Sequence, residues 1–590
     1  MTHGQRRRVG VLVVGWPLVL TAVLLWPMHR SGYLLGRDMV FTPRQPLTRA
    51  SAGAGAGSPR AVPLDALVAL GSRIIDGALL GRVLVGLVLP LAAWGMLRLL
   101  GPRSLPALLL AGGLAVWNPF VVERLALGQW ALLYAYAALP WIAVSARSVR
   151  ADERRTVGWA ALFASVALAS ITPTGALIGA AAAVVLVAGT WLRSSAVLIL
   201  AGLAQLAWVL PAVLGSASSV SDPAAVAVFA ARSERAGGVL LSLLGLGGIW
   251  DRTATPDSRA GLLGYLGTGL VVLALAAFLW WRRTLSPASD RTEWPRLAAL
   301  AAAGFVFAAV SSVPGGGGVV RWAVEHVPGA GLWRDSQKWL IPLVMVAVLG
   351  AALLVDQAVA ALRGRSVGSV VVMLAVALFV PVALLPDAAA SMRPTITPVH
   401  YPQGWAAARD VIAAGPSGTV LSLPFASYRR FPWVSAVNVI DPLPRWLSQP
   451  VLVDDRLVVD GRRLAGEDPQ AALLAAVLAS RGSDPVGLAT ALADHGVRWV
   501  WVERDGGGAD ATSAVDLSGL TMRYQDNSVA LYQVPAPAKG GPGHTATPDR
   551  TLRGNRLTVL IAVDALVAGA LVLSLGVIAV AAARRCYTRR

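Results

Sequence analysis

Residues 9–44 read VGVLVVGWPLVLTAVLLWPMHRSGYLLGRDMVFTPR, and the change of character after Met28 decides the fold. Val9 to Met28 is apolar throughout, long enough for a helix that crosses roughly 30 Å of hydrocarbon. Arg6, Arg7 and Arg8 stand before it, so the positive-inside rule places the N-terminus in the cytoplasm. No small-residue cleavage site precedes His29 and Arg30, so the run reads as a retained signal anchor and not as a removable signal peptide. The segment Ser31 to Pro43 then emerges just outside the bilayer. It carries one carboxylate, Asp38, between Arg37 and Arg44, within reach of a substrate held in the membrane.

The totals extend this reading to the whole chain. With 590 residues, mean hydropathy +0.62, 56% hydrophobic and 14% charged residues, the chain is a polytopic membrane protein. Its apolar runs are continuous and do not alternate, which selects helices over a barrel. The net charge of +19 comes from arginine, since Lys338 and Lys539 are the only lysines. In a soluble protein such a charge would point to nucleic acid. Here the arginines cluster at the ends of apolar runs, where they set topology and attract anionic headgroups, so no nucleic acid is implied. The single cysteine, Cys586, excludes an intrachain disulfide and a cysteine-based metal site.

Hydropathy and arginine placement together predict twelve spans. After span 1 comes a long outer loop, 29–79, with SAGAGAGSP (51–59) as a flexible linker and LDALVALGSRIIDGAL (64–79) as an amphipathic surface helix. Spans at about 80–97 and 105–117 flank Arg98 and Arg103, and a short outer loop, NPFVVERLALGQW (118–130), leads into span 4. ARSVRADERR (146–155) is the clearest cytoplasmic loop, and spans 5 and 6 turn at Thr172-Pro173-Thr174. GGVLLSLLGLGGIW (237–250) is too short to cross. Span 8 ends on Trp280, Trp281, Arg282 and Arg283, and span 10 on Arg363 and Arg365. The predicted organisation is a transmembrane domain at 1–385 with eleven spans, an extracytoplasmic α/β domain at 386–556, and a final helix with a basic cytoplasmic tail at 557–590. Both termini are expected in the cytoplasm. The α/β domain rests on the β-like runs GTVLSLPF, QPVLVDDRLVV, VRWVWVER and SVALYQV, with helical patterns at 405–414 and 469–479.

Asp38 is the first candidate for chemistry. A carboxylate at a membrane entrance can draw a proton from a hydroxyl that attacks an activated sugar. The alternative is a solvated charge paired with Arg37 or Arg44, worth about 0–1 kcal/mol. The second candidate is LWRDSQKW (332–339): Arg334 and Lys338 suit a phosphate or diphosphate, with Trp333 and Trp339 at headgroup depth. Arg37 joins them as a donor-phosphate candidate. The alternative there is an ordinary interfacial anchor. Glu123, Arg124 and Gln129, with Asp335, form a third set that either orients an acceptor or is structural. Glu325 and His326 are adjacent on a helical pattern and so do not face one metal site.

Walker A and HExxH sequences are absent, and GRSVG (364–368) lies at an inner turn without the strand and helix that a nucleophile elbow needs. Acids are scarce within the spans, Asp356 and Asp564 being the ones there, which argues against ion-coupled transport.

The first span followed by Gly36-Arg37-Asp38, the many spans and the C-terminal outer domain resemble the GT-C superfamily of membrane glycosyltransferases. The segments NPFVVERLALGQWALLYAYAALPW (118–141), LWRDSQKWL (332–340), GTVLSLPFASYRRFPW (418–433) and GVRWVWVERD with SVALYQV (496–534) are similar to ones found in actinobacterial arabinofuranosyltransferases of cell-wall assembly. The resemblance implies a polyprenyl-phosphate sugar donor, an acceptor glycan or lipid on the outer face of the plasma membrane, and inversion at the anomeric carbon. It makes Asp38 the base and Arg334 and Lys338 candidates for the lipid phosphate. Many members carry paired acids in the first loop; Asp38 has no acidic neighbour, which leaves a divalent metal without support and no cofactor assigned. Trp405, Tyr428, Trp433 and Trp446 are expected to bind the acceptor glycan. The competing readings are a flippase or exporter of lipid-linked glycans and a noncatalytic scaffold of envelope assembly.

Overall fold

The computed structural model describes residues 3–55, 61–214, 221–281, 292–362, 367–434, 437–459, 461–504, 515–536 and 552–587. The expected anchors Arg282, Arg283, Arg363 and Arg365, part of the linker at 51–59, the start of GRSVG and the last residues of the tail lie outside them.

The apolar runs become helices in the expected order. The first nine are α1 His3–Leu24, α2 Leu64–Ile74, α3 Gly77–Leu100, α4 Leu105–Val116, α5 Pro119–Ala126, α6 Leu133–Ala151, α7 Thr156–Ala169, α8 Pro173–Val187 and α9 Trp191–Leu214. The short helices α10 Ala225–Val228 and α11 Gly238–Leu244 follow, then α12 Leu262–Trp281, α13 Glu293–Ala309, α14 Gly316–His326, α15 Ile341–Ala361, α16 Val367–Leu384 and α17 Ala388–Ile396. A long helix, Gly554–Tyr587, closes the chain. Side-chain caps set several boundaries. Asp76 accepts the Ala78 amide and so starts α3 earlier than expected, and Asn118 and Thr172 cap α5 and α8 in the same way.

Among the described residues seven helical segments are long and apolar enough to cross a membrane, or eight if α16 and α17, bent by 52°, count as one. The segment Val9–Leu24, α7 and α8 are apolar but shorter. The remaining expected span, α6, is buried along most of its length between other helices. α15 forms the centre of the bundle, whereas the final helix presents itself almost wholly outward.

Two loop expectations change. Residues 118–130 are not a surface loop: α5 is buried from Phe120 to Ala126. Ser51 to Gly55, expected as flexible linker, forms turns held by reciprocal Thr48 and Ser51 hydrogen bonds, with Ala54 buried.

A five-stranded sheet dominates the segment before the last helix. Its strands are β3 Thr419–Leu423, β6 Val451–Leu452, β9 Val497–Glu503, β10 Thr521–Gln525 and β11 Val529–Gln533, in the spatial order β10-β11-β9-β3-β6. β3 runs parallel to β6 and β9, and β11 antiparallel to β9 and β10. Alternate residues serve opposite faces. Trp499 and Trp501 pack with Trp405 of helix α18, Gln403–Ala414, while Leu421, Leu423 and Val500 meet Leu474, Leu488 and Leu492 on the other face. Helices α19 Pro469–Arg481 and α20 Pro485–Asp494 supply those leucines. β10 escaped the sequence reading because it is a polar, exposed edge strand.

Candidate active site

Asp38 sits at the tip of a two-residue hairpin. β1 Leu35–Gly36 and β2 Met39–Val40 pair antiparallel, leaving Arg37 and Asp38 as the turn. Such turns need a positive φ at the first central position, and Arg37 supplies it at 52°. Leu35, Met39 and Phe41 are fully buried and pin the hairpin down. The Asp38 amide donates to the Leu127 carbonyl at 3.2 Å. Gly128 beside it has φ +77°, and a Cβ there would lie 2.6 Å from the Met39 amide nitrogen, so only glycine permits this approach. On the other side, the Ile440 amide donates to the Arg37 carbonyl at 2.9 Å. The Arg37 guanidinium turns away to Asp251 (2.5 Å) and Thr253 (2.6 Å).

The Asp38 carboxylate therefore pairs with neither neighbouring arginine. Tyr428 donates its hydroxyl to Oδ1 at 2.5 Å, and Gln129 donates Nε2 to Oδ2 at 3.0 Å. Gln129 Oε1 accepts from Arg124 Nη1 at 2.5 Å. Arg124, fully buried, forks onto Asp335 with bonds of 2.7 and 3.0 Å, and Asp335 lies 3.3 Å from Lys338 Nζ. Burial pushes the Asp335 carboxyl up, but Arg124 and Lys338 outweigh it and pull it down to about 2. One hydrogen-bonded line thus runs from Tyr428 through Asp38, Gln129, Arg124 and Asp335 to Lys338.

Tyr428 reaches this line from the C-terminal region. It belongs to β4, Tyr428–Arg429, which pairs with β5, Val439–Ile440. Arg429 points the opposite way into a buried cluster, 2.7 Å from Glu503 and 3.1 Å from Asp441. Burial pushes the Glu503 carboxyl up to about 8, against the pull of Arg429 and with a push from Asp441. The Tyr428 hydroxyl is also held well above its ordinary value, by the protein packed around it and by the charge of Asp38.

Two cavities meet at Asp38. The larger, about 950 Å³, is lined by polar groups, among them Arg37, Asp38, Arg334, Lys338, Tyr428 and Arg430, with Phe229 and Trp250 at one wall. The smaller, about 380 Å³, has Leu132, Ile171, Trp208, Ala212 and Leu332 on its apolar side and Thr172, Thr174 and Glu467 among its polar groups. Asp38, Gln129, Arg334 and Lys338 line both and form the partition between them.

The structure thus brings together Asp38, Gln129, Arg334 and Lys338 at one surface, and places Arg37 at the edge of the larger cavity. It keeps Arg124 behind that surface as support, while Asp335, 4% exposed, reaches the wall of the larger cavity. Glu123 is fully buried, accepts from Gln337 at 2.7 Å and borders Glu234, whose charge meets Arg259 at 2.8 Å and Arg235 at 3.1 Å; it lines neither cavity. Of the four aromatics expected to bind glycan, Trp405 and Trp446 are core residues, 1% and 7% exposed, packed edge to face on one another and each tilted against Tyr401. Of the four, Tyr428 is the one that lines either of these two cavities. Sequence reasoning missed Asp251 and Thr253 as the partners of Arg37, and no motif in the chain announces them. Among the described residues no three His, Cys, Asp or Glu side chains converge as metal ligands.

No protein-family model and no curated protein matches the chain. Solved structures do. The arabinofuranosyltransferase AftD from Mycobacteria superposes with a TM-score of 0.58 at 18% identity, over 90% of this chain and 40% of AftD. A point mutant of AftD gives 0.56 at 17% identity, over 90% and 42%. ArnT from Cupriavidus metallidurans in the apo state overlays more loosely, at 0.42 and 14% identity over 89% and 98%. The chain spans about two fifths of AftD's length. Its fold over that stretch is the one AftD has.

Proposed function

We propose that this chain is a twelve-span glycosyltransferase of the bacterial plasma membrane. It moves a sugar from a polyprenyl-phosphate donor to a cell-envelope glycan or lipid on the outer face, with inversion. The observation that carries the reading is the position of Asp38, beside Arg334 and Lys338, on the partition between two cavities. The donor's isoprenoid end enters the smaller cavity and the acceptor the larger one. The acceptor hydroxyl gives its proton to Asp38 as its oxygen bonds to the anomeric carbon. The bond from that carbon to the phosphate oxygen breaks, and polyprenyl phosphate leaves with the electron pair. Arg334 and Lys338 meet the phosphate charge on the partition, the first as a fork and the second as a point charge.

The test is a deletion strain complemented with the parent chain or with Asp38→Asn, followed by mass spectrometry of envelope glycans and lipid-linked sugars. The expected result is that the parent restores the glycan, while the variant leaves it missing and the lipid-linked donor accumulated. Restoration by the variant refutes Asp38 as base.

A further inference from the structure

We propose that Tyr428 is a positioning residue of this site: its phenol hydroxyl fixes one oxygen of Asp38 so that the remaining lone pairs face the acceptor in the larger cavity. The inference rests on the reading of Asp38 as general base. An ionised carboxylate has about four lone-pair directions. Tyr428 occupies one on Oδ1 and Gln129 one on Oδ2, at 2.5 and 3.0 Å. Two donors on different oxygens stop rotation of the carboxylate plane and leave lone pairs open for an incoming hydroxyl. Both donors are neutral, so they orient the group without cancelling its charge.

The two clamps come from distant parts of the chain. Gln129 follows α5, whereas Tyr428 arrives on β4 from the segment around the C-terminal sheet. That segment is docked on the Asp38 turn by the backbone bond from Ile440 to Arg37 and by a bridge between Arg37 and Val439. The strand alternation that turns Arg429 inward, onto Asp441 and Glu503, turns Tyr428 outward onto Asp38. The phenol stays protonated at neutral pH, since its environment pushes it above its ordinary value, so it acts there as a donor. The C-terminal segment therefore contributes directly to the base, and its role is not confined to holding acceptor.

The test uses the full-length chain reconstituted in liposomes, with a synthetic polyprenyl-phosphate arabinofuranose as donor and a short arabinofuranose oligosaccharide as acceptor, probes chosen from the likeness to AftD. Tyr428→Phe keeps the ring and removes only the hydroxyl. The expected result is a fall in kcat of about 10–100-fold, the scale of a misoriented catalytic group. KM for donor and acceptor stays within twofold, and the thermal midpoint moves by less than about 6 °C, the most expected for losing one hydrogen bond to a charged group. An unchanged kcat overturns the inference, and so does a kcat loss matched by a fall in thermal midpoint or confined to acceptor KM. Asp38→Asn separates the layers. If it abolishes transfer while Tyr428→Phe matches the parent, only this inference fails. If Asp38→Asn retains transfer, the reading beneath it fails.

Discussion

Arg124→Leu is the perturbation that most directly probes how the site is held. Its guanidinium is fully buried and makes three hydrogen bonds, two to Asp335 and one to Gln129. Removing Arg124 leaves the Asp335 carboxylate with Lys338 alone, at 3.3 Å, and the loss of one partner from a buried ion pair typically costs about 3–5 kcal/mol. At about 2 °C per kcal/mol, the low end of the range for sizeable domains, the thermal midpoint in detergent should fall by about 6–10 °C. Asp335→Leu should cost a similar amount, and the double variant little more than either single one, because the second substitution removes the charge left behind. Arg124→Lys keeps the charge but loses the fork, and should fall between parent and Arg124→Leu. Activity should fall beyond what stability explains. Gln129 loses its anchor and lets Asp38 turn, and a misplacement of about 1 Å can cost about 100-fold in kcat. Additive thermal losses in the double variant, or Arg124→Leu within 2 °C of the parent, would refute the coupled line from Lys338 to Asp38.

Lys338→Ala leaves Asp335 with Arg124 and removes a cation from the partition. It should raise KM for the polyprenyl-phosphate donor about tenfold, with acceptor KM unchanged, in steady-state transfer assays; equal effects on both substrates would contradict the donor assignment. Glu503 should make stability depend on pH. Its folded value of about 8 lies above the unfolded carboxylate range near about 4.3, so its stabilising contribution is fully present below that range and is lost as pH rises through about 8. The slope is at most about 1.4 kcal/mol per pH unit. Thermal midpoints of the parent should decline between about pH 5 and 8.5, and Glu503→Gln should flatten that decline; parallel curves for the two chains would exclude Glu503 as its source.

The helical bundle was legible because lipid tolerates only long apolar runs, and Val9 to Met28 and its successors supply them. Four of the residues singled out for chemistry, Asp38, Gln129, Arg334 and Lys338, do meet at one surface, although they come from three separate stretches. Residue type and position after a span sufficed for them. The same reasoning failed for Trp405 and Trp446 and left Glu123 open between an acceptor and a structural role, because a short amphipathic stretch or an aromatic run looks alike whether its polar or aromatic face meets solvent or core. Only the packing of α5 under the Asp38 hairpin and of α18 on the sheet separates these cases. The role of Tyr428 depends on a strand of two residues, below the length at which periodicity can be read.

Asp38 itself shows how far local sequence can mislead about charge. With Arg37 and Arg44 nearby, the simplest expectation is an ion pair, and an adjacent cation favours the ionised form and weakens a carboxylate as a base. The turn avoids this. The positive φ of Arg37 belongs to the hairpin that presents Asp38, and its guanidinium is tied to Asp251 and Thr253, away from the carboxylate it adjoins. Arg44 lies exposed beyond the second strand. The carboxylate is left with two neutral donors and an opening onto both cavities. A backbone conformation at one residue therefore separates a solvated ion pair from a carboxylate that faces the cavities, and Asp251→Ala, which frees Arg37 to swing back, should lower kcat in steady-state transfer assays; an unchanged kcat would show that the tether of Arg37 is not needed.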